Sequence, residues 1–395
     1  MAEPFRVLTL NAIAGVGLKR FPAGRYQVGK EITDPDAILV RSHDMHAMDI
    51  PHRVKAIGRA GAGVNNIPVA AMSRRGVPVF NAPGANANAV KELVIAGLLI
   101  AARNLVPALH FVDGLKGDDK TLHKLVEDGK KAFAGRELPG ATLGVIGLGK
   151  IGSLVADAAI KLGMHVLGHD PEITVDAAWS LPSQVRKAHT IEEVLKGSDF
   201  VTVHVPLLDA TRNLIDIRRI QLMKNGAILL NFSREGIVDN RAVLEGLESK
   251  HLRYYVCDFP AQALSGRAHV VALPHLGAST REAEDNCAVM VADQVREFLE
   301  NGNIVNAVNF PEVAMARESP YRVGIANANV LNMVGQISTT MAKAGLNIHN
   351  MINKSKGEMA YTLVDVDSRV PEAVIAQIGG IEGVLSVRYL PADGH

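Results

Sequence analysis

Short apolar runs recur along the first part of the chain. They lie at residues 7–10, 37–40, 54–57 and 77–80, with polar or helical stretches between them. Short buried runs that alternate with helical stretches are typical of a parallel sheet with crossover connections. The pattern therefore predicts a small α/β unit, followed by a helix over about 90–112 that leads into the next unit.

The apolar pattern is most regular over residues 141–170. An apolar run precedes a glycine turn, helical spacing follows over 150–161, and a second apolar run ends at Asp170. Strand, glycine turn, helix, strand and acid is the order of a dinucleotide-binding unit. The helix is predicted to bury one face, made of Ile151, Leu154, Val155, Ala158 and Leu162.

The three glycines of this turn each have a physical role if a dinucleotide binds. Gly147 permits the tight turn, Gly149 has no side chain to hold the backbone away from a pyrophosphate, and Gly152 lets the helix pack on the strand. The helix N-terminus offers free N–H groups to phosphates. Asp170 can accept hydrogen bonds from ribose hydroxyls and would repel a 2′-phosphate, so the predicted cofactor is NAD rather than NADP.

Polar residues follow the later apolar runs. His204 and Pro206 follow one run, Arg234 follows the next, and His275 follows the last. Because ligands of open α/β sheets bind outside the carboxyl ends of the strands, these residues are expected at one site. A glycine-rich stretch over 58–66 also follows a strand, and it suits either an anion or an ordinary turn.

The C-terminal part has a different pattern. A helix over 281–300 is placed to return to the first unit, and a linker over 307–320 follows it. Beyond the linker the chain reads β-α-β-β-α-β, which predicts a separate ferredoxin-like domain. Its strands are predicted at 322–327, 346–353, 359–365 and 384–389, and its helices at 333–344 and 371–379.

Composition narrows the class of protein. The 395 residues suffice for two or three domains, and 48% hydrophobic with 21% charged residues is an ordinary globular mixture. A net charge of +1 with no strongly basic stretch excludes a nucleic-acid or anionic-membrane footprint. The longest apolar stretch, 93–102, is too short to span a bilayer. Cys257 and Cys287 are expected to be small buried side chains in a reducing cytoplasm.

Two residues have the chemistry of hydride transfer to or from a hydroxy acid. Such a reaction needs a cation for the carboxylate and an acid–base group for the hydroxyl proton. Arg234 and His275 each follow a strand of the nucleotide unit and could supply them. Taken alone, Arg234 is more simply explained as a surface arginine, and His275 as a structural histidine.

Several motifs in order resemble the D-isomer-specific 2-hydroxyacid dehydrogenases, over nearly the whole chain. They are residues 58–64, 147–152, 204–207, 231–234, 238–239 and 274–280. The resemblance is to members with a C-terminal ACT domain. It implies an α/β fold with a Rossmann-type NAD-binding domain at 101–282, a discontinuous flavodoxin-like substrate domain at 1–100 and 283–310, and a ferredoxin-like ACT domain at 319–395.

The resemblance also implies roles for individual residues. Arg234 would bind the substrate carboxylate and carbonyl, and His275 would transfer the proton. Backbone groups of Gly61, Ala62 and Gly63 would contact the carboxylate, with Arg59 and Arg74 at the substrate phosphate. The implied cofactor residues are Gly147, Gly149, Lys150, Ile151, Gly152, Asp170, His204, Pro206, Ser233, Asp258 and Gly277. No metal is implied.

Gln262 departs from the family pattern, in which a glutamate pairs with the catalytic histidine. No Asp or Glu occurs between Asp258 and Glu282. An amide at 262 can orient the imidazole ring, but it lacks the charge that would favour the protonated ring. Gln262 is therefore predicted to be a catalytic residue, and the glutamine is expected to change the catalytic rate and the pH range of activity. Glu235, where the family usually has glycine, could replace the missing acid, although a solvated surface carboxylate is the preferred interpretation.

The expected reaction is NAD-dependent oxidation of D-3-phosphoglycerate to 3-phosphohydroxypyruvate, the first step of the phosphorylated route to L-serine. Two alternatives stay open: reduction of another small 2-keto acid, such as glyoxylate or hydroxypyruvate, and a weakly active NADH-sensing binding protein. In the ACT domain, Asn327, Asn329 and Asn347 would bind the effector L-serine at a domain pair, or the domain would serve assembly alone. A cytoplasmic homodimer or homotetramer is expected, with neither nucleic acid nor membrane as a partner.

Overall fold

The computed structural model describes residues 3–392, and the chain divides into two compact units. One unit joins the part before Ala87 to the part from Arg281 onward. The other unit is Ala87–Thr280. The fold is α/β, with a parallel sheet in each unit and an additional antiparallel sheet near the C-terminus.

The described residues before Ala87 form a parallel sheet in the order β2-β1-β3-β4-β5. The apolar runs predicted its β1, β3, β4 and β5, but not β2. This strand lies at the sheet edge and buries only Tyr26 fully, so it lacks the continuous apolar run of an interior strand. The elements are β1 (Phe5–Leu10), α1 (Gly15–Leu18), β2 (Tyr26–Gly29), β3 (Ala37–Val40), β4 (Ala56–Arg59), α2 (Val69–Arg74) and β5 (Val79–Phe80).

The second unit is built on a parallel sheet in the order β12-β11-β10-β9-β6-β7-β8. The order reverses between β6 and β9, which is where ligands bind in folds of this kind. The elements are α3 (Ala87–Ala102), α4 (Leu105–Asp113), α5 (Asp119–Gly129), β6 (Thr142–Ile146), α6 (Lys150–Lys161), β7 (His165–His169), α7 (Val175–Trp179), β8 (Val185–Lys187), α8 (Ile191–Gly197), β9 (Phe200–Val203), α9 (Ile217–Leu222), β10 (Ala227–Asn231), α10 (Asn240–Glu248), β11 (Leu252–Cys257) and β12 (Val270–Ala272).

The prediction of one helix over about 90–112 is wrong, because the chain bends at Asn104. This residue has φ of 52°, and α3 and α4 meet there at 67°. Its side chain donates to Ala134 O at 3.0 Å and accepts from Arg253 at 3.2 Å, so partners distant in sequence fix the bend. Within residues 3–392, no single helix is long and apolar enough to cross a membrane. The pair α3–α4 reaches that length and apolar composition only when its two helices are counted together, and it is bent by 67°.

The predicted inner face of α6 is also partly wrong. Leu154 and Leu162 are exposed, whereas Val155 is buried together with Gly152, Ala156 and Ala159. A Cβ on Gly152 would lie 2.0 Å from the carbonyl oxygen of Gly147. The helix therefore approaches the sheet so closely that its smallest side chains must face inward.

The described residues from Arg281 onward begin with one long helix and end in an antiparallel sheet. The sheet has the order β14-β15-β13-β16, and the β-α-β-β-α-β sequence of elements is the one that was predicted. The elements are α11 (Arg281–Asn301), β13 (Tyr321–Ala328), α12 (Met333–Lys343), β14 (Ile348–Lys356), β15 (Met359–Val366), α13 (Glu372–Gly379) and β16 (Val384–Pro391).

This antiparallel sheet packs on the last turn of α11. Carbonyls at a helix C-terminus have no helical N–H partner, and here side chains of the sheet supply one. Arg388 donates to Phe298 O at 3.1 Å and to Leu299 O at 2.8 Å, with its guanidinium 4.5 Å from the centre of the Phe298 ring. Tyr361 donates to Gly302 O at 2.9 Å. Cationic donors at this position also complement the helix dipole.

Candidate active site

The glycine turn lies at the end of β6, where the strand order reverses. Gly147 has φ of +91°, and a Cβ there would lie 2.7 Å from the carbonyl oxygen of His204, at the end of β9. A Cβ on Gly149 would meet no heavy atom within 4 Å, so space is open above the backbone. The turn therefore fits a dinucleotide pyrophosphate, with a backbone surface open for close approach and α6 beginning at Lys150.

Asp170 is tied to this glycine turn. Its carboxylate accepts the N–H of Leu148 at 2.8 Å and that of Glu172 at 3.0 Å. Asp170 is half-buried at the end of β7, where ribose hydroxyls would lie if the pyrophosphate were on the glycine turn. Lys150 and Ile151 form the first turn of α6, so the predicted cofactor residues of this segment lie together.

Asn231 fixes the turn that carries Arg234, and sequence reasoning assigned it no role. It is fully buried at the end of β10. Its amide donates to Arg234 O at 2.9 Å, and its side-chain oxygen accepts from the N–H and the hydroxyl of Ser233, each at 3.2 Å. Arg234 itself is exposed, with one guanidinium N–H donated to Ser233 O at 2.6 Å. A polar residue that ends an otherwise apolar strand was the available sequence signal.

His275 has a left-handed backbone that its neighbours hold in place. Its φ is +56°, which is uncommon for a residue other than glycine. Asp258, buried at the end of β11, accepts the next two backbone N–H groups, from Leu276 and Gly277, both at 2.7 Å. The ring of Phe259 stands edge-on to the imidazole, with the centroids 5.1 Å apart. Phe259 thus contacts the imidazole, and sequence reasoning assigned it no role.

A pocket of about 670 Å³ brings Arg234 and His275 together. Glu235 lines the same pocket, whereas Gln262 does not. Gln262 is exposed on a 3-10 turn, and within residues 3–392 its side chain makes no hydrogen bond to His275. The pocket lies within the second unit, and its lining is Leu207, Arg212, Asn213, Arg234, Glu235, Gly236, Val238, Asp239, Asn240, Phe259 and His275.

His204 lies at the end of β9, beside the glycine turn. Its Nε2 is 2.9 Å from Thr202 Oγ1, and its Nδ1 is buried without a partner among the described residues. Burial lowers the pKa of His204 to about 4, so the ring is neutral at physiological pH. Pro206, two residues on, is exposed, and its carbonyl accepts from Thr211 Oγ1 at 2.6 Å. The unpartnered Nδ1 is consistent with a ligand at this strand end.

The other predicted substrate residues belong to the first unit. Arg59 ends β4, and its Nε donates to Arg41 O at 3.0 Å. Its guanidinium folds over Gly61, where a Cβ would lie 1.8 Å from Nη1. Asn81 donates to Ala62 O at 2.6 Å and so holds the Gly61–Gly63 loop. Arg74 is exposed at the end of α2.

Comparison with known proteins identifies the family. Residues 99–277 match "D-isomer specific 2-hydroxyacid dehydrogenase, NAD binding domain". The chain is 35% identical over 383 residues to a D-3-phosphoglycerate dehydrogenase of Methanocaldococcus jannaschii, covering 93% of this chain and 69% of that protein. The chain belongs to the D-isomer specific 2-hydroxyacid dehydrogenase family. A D-3-phosphoglycerate dehydrogenase of Escherichia coli is 31% identical over 380 residues, covering 92% of this chain and 89% of the relative.

A solved structure agrees with this assignment to the D-isomer specific 2-hydroxyacid dehydrogenases. The NAD⁺-bound 3-phosphoglycerate dehydrogenase of Entamoeba histolytica matches with a TM-score of 0.61 and 25% identity, over 78% of this chain and 99% of that chain. The matched family segment, 99–277, contains the glycine turn, Asp170, Arg234 and His275. The chain is therefore an NAD-dependent dehydrogenase, and the cofactor prediction is confirmed.

Proposed function

We propose that the chain oxidises D-3-phosphoglycerate to 3-phosphohydroxypyruvate. The observation that carries this proposal is the pocket in which Arg234 and His275 face the same space, in the unit that holds the glycine turn. Support also comes from the curated relatives named D-3-phosphoglycerate dehydrogenase, which match most of the chain.

Different residues of the pocket are proposed to bind the substrate and to transfer the proton. Arg234 would bind the substrate carboxylate and carbonyl through its guanidinium fork, which matches the geometry of a carboxylate. A ring nitrogen of His275 would take the hydroxyl proton during oxidation and return it during reduction. NAD, when bound, supplies the hydride acceptor. Asp258 and Phe259 would hold the imidazole where the proton moves.

The first unit supplies the remaining proposed contacts. The backbone N–H groups of Gly61, Ala62 and Gly63 are proposed for the substrate carboxylate, as the family resemblance implies. Arg59 and Arg74 are proposed for the substrate phosphate. The positive φ of Gly61, +154°, and the bond from Asn81 to Ala62 O give this loop its shape.

The reaction can be tested by following NADH oxidation with three keto acids. We expect kcat/KM for 3-phosphohydroxypyruvate to exceed that for hydroxypyruvate and glyoxylate by about 100-fold or more, because a site built for a polar group discriminates strongly against its absence. NADPH should be a much poorer cofactor, owing to Asp170. A preference for glyoxylate or hydroxypyruvate would establish a different reductase. Tight NADH binding without turnover of any keto acid would establish a binding protein.

We infer that the C-terminal β-α-β-β-α-β region is an ACT-like domain whose effector site needs a second copy of the chain. Asn327 pairs with Ala360, whereas Asn347 directly precedes Ile348, which pairs with Val366. Ala360 and Val366 are six residues apart on β15, a distance of about 20 Å along the strand. Asn327 and Asn347 therefore lie near opposite ends of β15 and do not meet within one copy of the chain. Asn327 has a buried side-chain oxygen without a partner among the described residues, and Asn329 donates to Gly357 O at 3.1 Å. Inhibition by L-serine but not D-serine tests the effector.

The proposed assembly is a homodimer or homotetramer. Neither α4 nor α5 has a buried residue, and the α4 side chains of Leu109 and Val112 are 63% and 55% exposed. An apolar helix face of this kind is the usual surface for association with another chain. Light scattering should therefore give at least twice the chain mass of 42.2 kDa, and Leu109→Glu should lower the measured mass.

A further inference from the structure

The active-site pocket contains a second arginine with no assigned role. Arg212 lines it together with Arg234, Glu235 and His275. Its side chain is exposed, and within residues 3–392 it forms neither a hydrogen bond nor an ion pair. The next arginines along the chain differ: Arg218 pairs with Asp216 at 3.1 Å, and Arg219 pairs with Glu192 at 3.2 Å. Arg212 is therefore a pocket cation without an ion-pair partner among the described residues.

The backbone on both sides of Arg212 is anchored. The hydroxyl of Thr211 donates to Pro206 O at 2.6 Å and accepts the N–H of Leu208 at 2.8 Å. On the other side, Asn213 donates its N–H to Gly236 O at 2.8 Å. The loop thus presents the Arg212 side chain from a fixed position, although the side chain is exposed.

The guanidinium of Arg212 rests on the turn that carries Arg234. A Cβ at Gly236 would lie 3.6 Å from Arg212 Nη1, an ordinary van der Waals distance, so the guanidinium lies beside this turn. Asp239 also lines the pocket, but its carboxylate accepts the N–H of Arg241 at 2.9 Å as the N-cap of α10. Glu235 and Asp239 are the two carboxylates in the lining, and neither forms an ion pair with Arg212 among the described residues.

A pocket with two guanidinium groups suits a substrate with two anionic groups. We propose that Arg212 binds the substrate phosphate while Arg234 binds the carboxylate, so that Arg212 is a specificity-determining residue for the phosphorylated substrate. The assignment rests on the proposed function and deepens it. A guanidinium binds a phosphate through two parallel N–H···O bonds, which a neutral hydroxymethyl group cannot replace.

The test compares kcat/KM for 3-phosphohydroxypyruvate and hydroxypyruvate in four proteins: wild type, Arg212→Gln, Arg212→Lys and Arg218→Gln. Arg212→Gln should lower the ratio of the two values by about 10- to 100-fold, the loss expected for a charge-assisted hydrogen bond. Hydroxypyruvate turnover and the Kd for NADH should change by less than about threefold. Arg212→Lys should keep part of the ratio, because it keeps the charge, and Arg218→Gln should keep all of it.

Each other outcome overturns a defined part of the proposal. An unchanged ratio in Arg212→Gln, with wild type preferring the phosphorylated acid, removes the role of Arg212 and leaves the proposed function standing. An equal loss for both keto acids means that Arg212 acts on the shared keto-acid group or on the loop, which also overturns the assignment. A wild type that shows no preference for the phosphorylated acid overturns the proposed function and this assignment together.

Discussion

Asp258 accepts the backbone N–H of Gly277 at 2.7 Å, and this bond fixes the main chain beside His275. The second carboxylate oxygen accepts from Leu276, so both oxygens act on the two residues after the histidine. A φ of +56° at His275 costs free energy that neighbouring bonds must offset. Asp258 thus acts through the backbone on His275, the proposed proton-transfer residue, in addition to the cofactor contact that the family resemblance implies.

Asp258→Asn should lower both kcat and the free energy of unfolding, whereas the control variant described below should lower only the free energy of unfolding. An amide has one acceptor oxygen, so one backbone N–H loses its partner at a cost of about 1–3 kcal/mol. Asp216→Asn is the matched control, because Asp216 also accepts a backbone N–H, from Arg219 at 2.9 Å, but does not line the pocket. Kinetics and urea unfolding of both variants are the measurements. Equal effects on stability with unchanged kcat in both would show that Asp258 is structural only.

Arg234→Ala should abolish most of the activity while NADH still binds. The variant removes the proposed bidentate contact to the substrate carboxylate, and two charge-assisted bonds together correspond to about two to four orders of magnitude in kcat/KM. Arg234→Lys should recover little, because a point charge does not reproduce the planar fork. NADH fluorescence titration is the control. An equal loss of NADH affinity would place Arg234 in the cofactor site or the fold.

Gln262→Glu should move the alkaline limb of the pH–rate profile for keto-acid reduction to higher pH. Gln262 does not line the pocket of His275, so the variant tests whether a carboxylate at 262 acts on the ring. A carboxylate that does so favours the protonated ring, which is the form that donates to the new hydroxyl. The profiles of kcat/KM against pH are compared for the two proteins at saturating NADH.

Glu235 decides how a negative result for Gln262→Glu is interpreted, because Glu235 lines the pocket with His275. If the two alkaline limbs coincide, the comparison is repeated in a Glu235→Gln background. A limb that now moves shows that Glu235 already supplies the charge. A limb that still does not move means either that residue 262 stays outside the pocket, where the structure places it, or that His275 is not the proton donor.

His204 should make the apoprotein less stable as the pH falls from 6.5 towards 4. Burial lowers the pKa of His204 from 6.5 to about 4, so the folded chain disfavours a proton that the unfolded chain accepts. Above pH 6.5 the His204 ring is neutral in both the folded and the unfolded chain, so it does not change the free energy of unfolding. Below about pH 4 the loss in the free energy of unfolding is complete, at up to about 3 kcal/mol. His204→Gln should remove this slope in urea unfolding, whereas the exposed His165→Gln should not. Parallel slopes in all three proteins would contradict the expectation.

Asp365→Asn should destabilise the C-terminal sheet strongly. Asp365 pairs with Arg322 through bonds of 2.6 and 2.8 Å, and both side chains are fully buried. Loss of one partner leaves a buried charge uncompensated, which costs about 3–5 kcal/mol. Asp293→Asn, which breaks an exposed pair with Arg20 at 2.8 Å, should cost about 1 kcal/mol or less. Urea unfolding followed by circular dichroism compares them; equal losses would contradict burial as the cause.

The features that the sequence alone determined are those governed by neighbouring residues. The bounds of α6 coincide with the helical spacing over 150–161, because a helix start depends on a glycine turn and a local apolar period. Gly147 adopts the positive φ that its place in the motif requires. Apolar runs of interior strands, such as Ala37–Val40, were equally clear, since such strands are buried on both faces.

Tertiary structure decided the features that depend on partners far along the chain. The bend at Asn104 is set by Ala134 and Arg253, and no pattern within the helix predicts it. The buried face of α6 depends on how closely it approaches β6, which hydrophobic periodicity does not contain. The bonds from Asp258 to the turn after His275, and the position of Arg212 over Gly236, join residues 18 or more positions apart. Sequence patterns locate each of these segments, but only packing brings their side chains within bonding distance.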